Sequence, residues 1–219
     1  MSSFVELLTE NFGALASGFW VTCRLVVGSF LLAAVVGTIV AALRVAPSKW
    51  LQRLGGVYVE TFRNVPLLVL LVISYSGLRR SGVPIDTWTA GIGALGLYTG
   101  AYFAEVLRSG VFAVSRGQIE AALSLGFDYG ETLRRIVLPQ AARTVISPMG
   151  SITIAMIKNS AIIGAALALN DMLKEARILA SRTFENEAAF FWATIGYLLL
   201  TLAATLAIRV LEQRYAIRR

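Results

Sequence analysis

Apolar residues fall in long runs at about 19–43, 57–78, 88–107, 145–169 and 189–210, with shorter polar blocks between them. About 20 mainly apolar residues in a helix cross the roughly 30 Å of a bilayer's hydrocarbon. A segment in lipid must also satisfy its own backbone hydrogen bonds. The pattern therefore predicts an all-α membrane protein of about five transmembrane helices, multi-pass in the cell (plasma or inner) membrane. Ahead of the first run, Phe4, Leu8, Phe12 and Leu15 recur at helical spacing, which predicts an amphipathic segment over 1–18 lying on the membrane surface. The same stretch carries Glu6 and Glu10 without Lys or Arg, so it lacks the basic start of a cleavable signal peptide. The transmembrane domain spans 19–211, and 212–219 reads as a short basic tail.

The polar blocks set the orientation, because Lys and Arg accumulate on the cytoplasmic side. Segments 44–56, 108–143 and 209–219 hold Arg44, Lys49, Arg53, Arg108, Arg116, Arg134, Arg135, Arg143, Arg209, Arg214, Arg218 and Arg219. The opposite blocks hold only Arg79, Arg80, Lys174, Arg177 and Arg182. The N-terminus is expected outside, and the long 108–143 loop and the C-terminus in the cytoplasm.

Composition agrees with the pattern. The chain is 57% hydrophobic and 15% charged, against about a quarter charged in soluble domains. Its net charge of +7 does not indicate a nucleic-acid partner, because the cations alternate with apolar runs rather than forming one stripe. No histidine is present and Cys23 is the single cysteine, so neither a metal site nor a disulfide framework is expected. In the third run, Gly96 and Gly100 form a GxxxG step. That is either a close helix contact or the ordinary abundance of glycine in membrane helices.

Residues 115–139 read SRGQIEAALSLGFDYGETLRRIVLP. Ser115 with Gln118 has capping-box spacing, Gly126 suits a left-handed helix end, Asp128 with Glu131 offers a second cap, and Pro139 is expected to stop the second helix. Ile119, Ala122, Leu123, Leu133, Ile136 and Val137 are apolar residues outside the membrane and call for a protein partner.

This loop resembles the EAA motif of permease subunits in binding-protein-dependent ABC importers, at Glu120, Ala121, Ala122, Gly126, Ile136, Leu138 and Pro139. The resemblance extends to Phe62-Arg63-Asn64-Val65-Pro66 and to Gly100-Ala101-Tyr102-Phe103-Ala104-Glu105 through Arg108, which are similar to the polar amino acid subfamily. Together with Lys158-Asn159-Ser160, these residues look most like glutamate or glutamine importer permeases, although many relatives carry Lys-Asp-Thr or Lys-Asp-Ser there. The resemblance implies the type I ABC importer permease fold, with the loop coupling to two copies of a separate ABC ATPase subunit. It implies no cofactor in this chain, with ATP-Mg bound by the ATPase. It also implies a second permease (a related chain or a second copy), an extracytoplasmic substrate-binding protein and an amino acid substrate.

Ionisable residues inside a span are costly and point to function by default. Glu60 with Arg63, and Glu105 with Arg108, stand three residues apart and are expected to pair on one helix face. Arg24 and Lys158 have no such neighbour. Lys158, with Asn159 and Ser160, lies near the middle of its span, where transporters hold substrate. It either meets a substrate carboxylate or pairs with a second permease subunit. The chain contains no phosphate-binding GxxxxGK[ST], GxSxG or HExxH sequence, so it is not expected to be catalytic itself. A passive channel or half of a secondary transporter would explain the spans but not the loop.

Overall fold

The computed structural model describes residues 2–167 and 169–215. Arg218 and Arg219, the end of the expected basic tail, lie outside them. The described residues form helices: α1 Ser2–Val45, α2 Lys49–Asn64, α3 Leu67–Arg80, α4 Thr87–Phe112, α5 Arg116–Ser124, α6 Tyr129–Ala166, α7 Met172–Thr183 and α8 Asn186–Tyr215. Four of them, α1, α4, α6 and α8, are long and apolar enough to cross a membrane, and the bent pair α2–α3 makes up to five.

Two expected boundaries change. The expected surface segment, described from Ser2, is joined to the first span in one helix, with non-helical backbone at Asn11. Its apolar stripe is not left to lipid alone, since Leu7 and Leu15 are buried against Leu179, Ala180, Ala188 and Ala189 of α7 and α8. The second run is not straight: α2 and α3 meet at 103°. Pro66 is the physical cause. It lacks an N–H and crowds the residue before it, and Val65 is accordingly extended at φ −101°, ψ 132°. Helix α7 was not expected. It is short, and the polar residues on its outer face hid it from a search for apolar runs.

The centre of the bundle is a cluster in which Leu25 of α1, Leu67 and Leu71 of α3, Leu95 of α4, and Met156 and Ile163 of α6 are buried together. The main partnership is α1 against α4. The GxxxG step is what brings these helices close. A Cβ on Gly96 would meet the Leu32 side chain of α1, and one on Gly100 would come within 3.5 Å of the Ala33 carbonyl of α1 and 3.2 Å of the Tyr58 hydroxyl of α2. A side chain at either position would press on a neighbouring helix, so the small residues are part of the packing here.

Candidate functional site

The 115–139 loop is a helical hairpin held by its own backbone and capping hydrogen bonds. Helix α5 ends in a Schellman motif: the Phe127 amide donates to the Ala122 carbonyl (3.2 Å), and the Gly126 amide to that of Leu123 (3.0 Å). Gly126 takes φ +89°, a conformation that costs glycine little and other residues more. Asp128 then caps the next helix in a full capping box, accepting from the Glu131 amide at 2.8 Å while its own amide donates to the Glu131 carboxylate. The expected first box does not form, since Ser115 stands at the N-cap of α5 but makes no side-chain bond. Pro139 does not end its helix either. A π-turn over Leu133–Val137, closed by the Leu138 amide donating to the Leu133 carbonyl, absorbs the missing proline donor. The chain continues as helix to Ala166.

Within this hairpin Ala122 and Val137 are buried, whereas Leu123, Leu125 and Tyr129 are exposed. The apolar set that faces outward therefore differs from the one expected. Small Ala122 closes the hairpin, and Leu125 (80% exposed) stands at its tip, uncovered by the described residues. Glu120, Ala121, Gly126, Leu138 and Pro139 are also exposed and Ile136 is half-buried.

The charges in the bundle converge on one carboxylate. Glu105 of α4 accepts from Arg108 at 2.6 Å and from Arg44 at the end of α1, and Arg63 of α2 lies 3.8 Å away. The Glu105–Arg108 pair is as expected. The Glu60–Arg63 pair is corrected, because Arg63 turns instead toward Glu105 and stacks over the Tyr102 ring (5.3 Å). Glu60 stays exposed and forms no ion pair among the described residues, while its backbone carbonyl accepts from the Asn64 side chain. Arg44 was missed because it looked like a loop charge beyond the first span.

Arg24 is exposed and lies over the Trp88 ring at 5.5 Å, so an aromatic partner takes the place of an ionic one. Lys158 is exposed on α6 and forms no ion pair among the described residues. Thr144, Ser147 and Ser151 are exposed on the same side, at spacings that continue one face of the helix toward Lys158. Ser160 does not join this face. It is fully buried and donates to the Ile157 carbonyl at 2.7 Å, so it is removed from the expected pathway set; Asn159 is half-buried.

A second polar cluster was also missed. Asp171, fully buried between α6 and α7, accepts from the Lys174 amide (2.9 Å) and the Tyr197 hydroxyl (3.2 Å). Nearby, the Thr22 hydroxyl accepts from the Met172 amide at 3.1 Å. Burial pushes the Asp171 carboxyl above the usual carboxylate range, against the lowering effect of these hydrogen bonds and of Arg177 and Lys174. The sequence signal was an Asp just ahead of a helical stretch with Glu175 in its first turn.

A bundle of apolar spans, a capped helical hairpin with exposed Leu123, Leu125 and Tyr129, and a lysine on one helix face that forms no ion pair among the described residues together fit a membrane subunit that works with other proteins. Residues 33–217 match the family described as binding-protein-dependent transport system inner membrane component, and the chain belongs to that family. Members are membrane subunits of transport complexes that work with an ATPase subunit and a substrate-binding protein, and this chain is accordingly a multi-pass protein of the cell membrane. It is 38% identical to the probable glutamine ABC transporter permease GlnM of Bacillus subtilis, over 96% of this chain and 97% of that protein. It is 37% identical to the glutamate transport system permease GluC of Corynebacterium glutamicum, over 94% of this chain and 96% of that one. The histidine/lysine/arginine/ornithine permease HisQ of Salmonella typhimurium is 30% identical over 94% of each chain. Among solved structures, an amino acid ABC transporter crystallised with histidines superposes with a TM-score of 0.89 at 30% identity, covering 94% of this chain and 96% of that chain.

Proposed function

We propose that this chain is the permease subunit of an ATP-driven importer of an amino acid, glutamate or glutamine, into the cytoplasm. The relatives named for these two amino acids align over nearly the whole chain, and the observation that carries the reading is Lys158. It is a cation on an exposed, hydroxyl-bearing face of a span, with no acidic partner among the described residues. A second permease, related or identical, closes the pathway against that face. Two copies of the ATPase subunit bind ATP-Mg and engage the 115–139 hairpin through Leu123, Leu125 and Tyr129. The N-terminus lies outside and the hairpin in the cytoplasm, as the distribution of Lys and Arg favours.

Uptake by the reconstituted complex, with its binding protein outside and ATP inside, tests the substrate. Glutamate or glutamine should accumulate, and accumulation of lysine or histidine alone would overturn the assignment. The orientation is tested on a Cys23→Ser background: Glu185→Cys should label from outside and Ser124→Cys only from the cytoplasm.

A further inference from the structure

At the end of the bundle where α1 and α4 terminate, Arg44, Lys49, Arg53 and Arg108 line a groove of about 740 Å³ together with Trp50 and Phe112. Among the described residues, Glu60 is the only carboxylate in its lining. Glu105 is already shared by Arg44 and Arg108, and neither Lys49 nor Arg53 forms an ion pair among the described residues. The groove therefore carries uncompensated positive charge. It opens at the start of α2, where Ser48 makes no side-chain cap, so the first amides of that helix also remain unbonded by a cap.

The surroundings of the groove are apolar. Trp50 (77% exposed), Leu54 and Val57 recur at helical spacing on α2, and Phe112 is 65% exposed at the end of α4. A cationic recess beside an exposed apolar stripe matches a molecule with an anionic head and a hydrocarbon body, and a tryptophan at the rim is suited to the headgroup level. A free phosphate would leave the stripe uncovered, and a zwitterionic lipid would leave the charge unmatched.

We propose that this groove is a binding site for an anionic phospholipid, with its phosphate held by Lys49, Arg53 and the α2 amides and its acyl chains along Trp50, Leu54 and Val57. The site touches α1, α2 and α4, and a bound lipid holds the amphipathic α2 against the bundle.

The test is native mass spectrometry of the importer complex purified through this chain in mild detergent, with phosphatidylglycerol or phosphatidylcholine added. Phosphatidylglycerol should remain bound where phosphatidylcholine is lost, and equal retention of the two would overturn the proposal. Lys49→Gln with Arg53→Gln should lower phosphatidylglycerol occupancy at least threefold, whereas Lys174→Gln with Arg177→Gln, on α7 and outside the groove, should not. Unchanged occupancy in the first variant would also overturn it. Excess glycerol phosphate should displace little lipid, and full displacement would show that an anion alone fills the groove. The comparison of lipid classes uses the unaltered protein, so it stands whether or not the variants assemble.

Discussion

Arg44, in the last turn of α1, and Glu105, in the second half of α4, meet in a charge-assisted hydrogen bond across 61 positions of sequence. Arg108 takes the other carboxylate oxygen and Arg63 approaches from α2, so a single acid joins three helices at one end of the bundle. The arrangement also carries more positive charge than negative, so removing the acid leaves three guanidinium groups near one another with nothing between them.

Glu105→Gln should therefore destabilise the subunit by about 2–3 kcal/mol, the range for breaking a hydrogen-bonded charge cluster of partial burial. Arg44→Met should cost less, since Glu105 keeps Arg108. A double-mutant cycle in detergent, read by thermal melting, checks this. The pair should show a coupling energy above about 0.5 kcal/mol, and strict additivity would mean that Arg44 and Glu105 act separately.

The hairpin gives a second prediction. Gly126→Val places a β-branched residue at φ +89°, a conformation that costs non-glycine residues roughly 1–2 kcal/mol. Gly126→Asn should be milder, because asparagine enters the left-handed region more readily. Valine should weaken co-purification of the ATPase subunit or abolish ATP-driven uptake while the chain still inserts, and asparagine should retain most of both. If the valine variant transports normally, the shape of this turn does not matter to coupling.

The spans and the hairpin were legible in the sequence for a physical reason. Each is defined by local signals: apolar length for the spans, and for the loop a glycine at a helix end and an Asp-x-x-Glu cap. What stayed hidden depended on contacts between distant segments. Nothing local says that Arg63 prefers Glu105 to Glu60, or that Ser160 turns inward while Lys158, two residues earlier, faces out. The angle at Pro66 was available in principle, but apolar residues on both sides of it read as one span. Pro139 misled in the opposite direction, because a π-turn can supply the irregular bonding that a proline needs without ending the helix.

Asp171 provides a prediction about pH. Its carboxyl is raised by burial, so the folded protein holds the proton more tightly than the unfolded chain. That contribution to stability is complete below the ordinary Asp value near 4 and is lost as pH rises through the raised folded value. Asp171→Asn retains an acceptor for the Lys174 amide and cannot ionise. Relative to this variant, the unaltered protein should lose melting temperature as pH rises from about 4. A difference that stays constant with pH would show that Asp171 does not titrate differently on folding.

Lys158 tests the proposed pathway most directly. Its ammonium lies within an apolar span, where a charge is expensive unless hydrated, paired or facing a cavity. No acid of this chain among the described residues meets it, and the exposed Thr144, Ser147 and Ser151 on the same helix suit water or a polar solute better than lipid. A substrate carboxylate arriving at this face would gain an attraction that strengthens as water is excluded. Lys158→Met keeps a long flexible side chain and makes insertion easier, so the subunit should still assemble. ATP-driven uptake of glutamate should fall at least tenfold, about 1.4 kcal/mol, while basal ATP hydrolysis by the assembled complex continues. Lys158→Arg should restore part of the uptake, since the charge returns with a different shape. If Lys158→Met prevents the two permeases from associating, the lysine is an ion-pair partner between subunits. Unchanged uptake in an intact complex would remove Lys158 from the pathway.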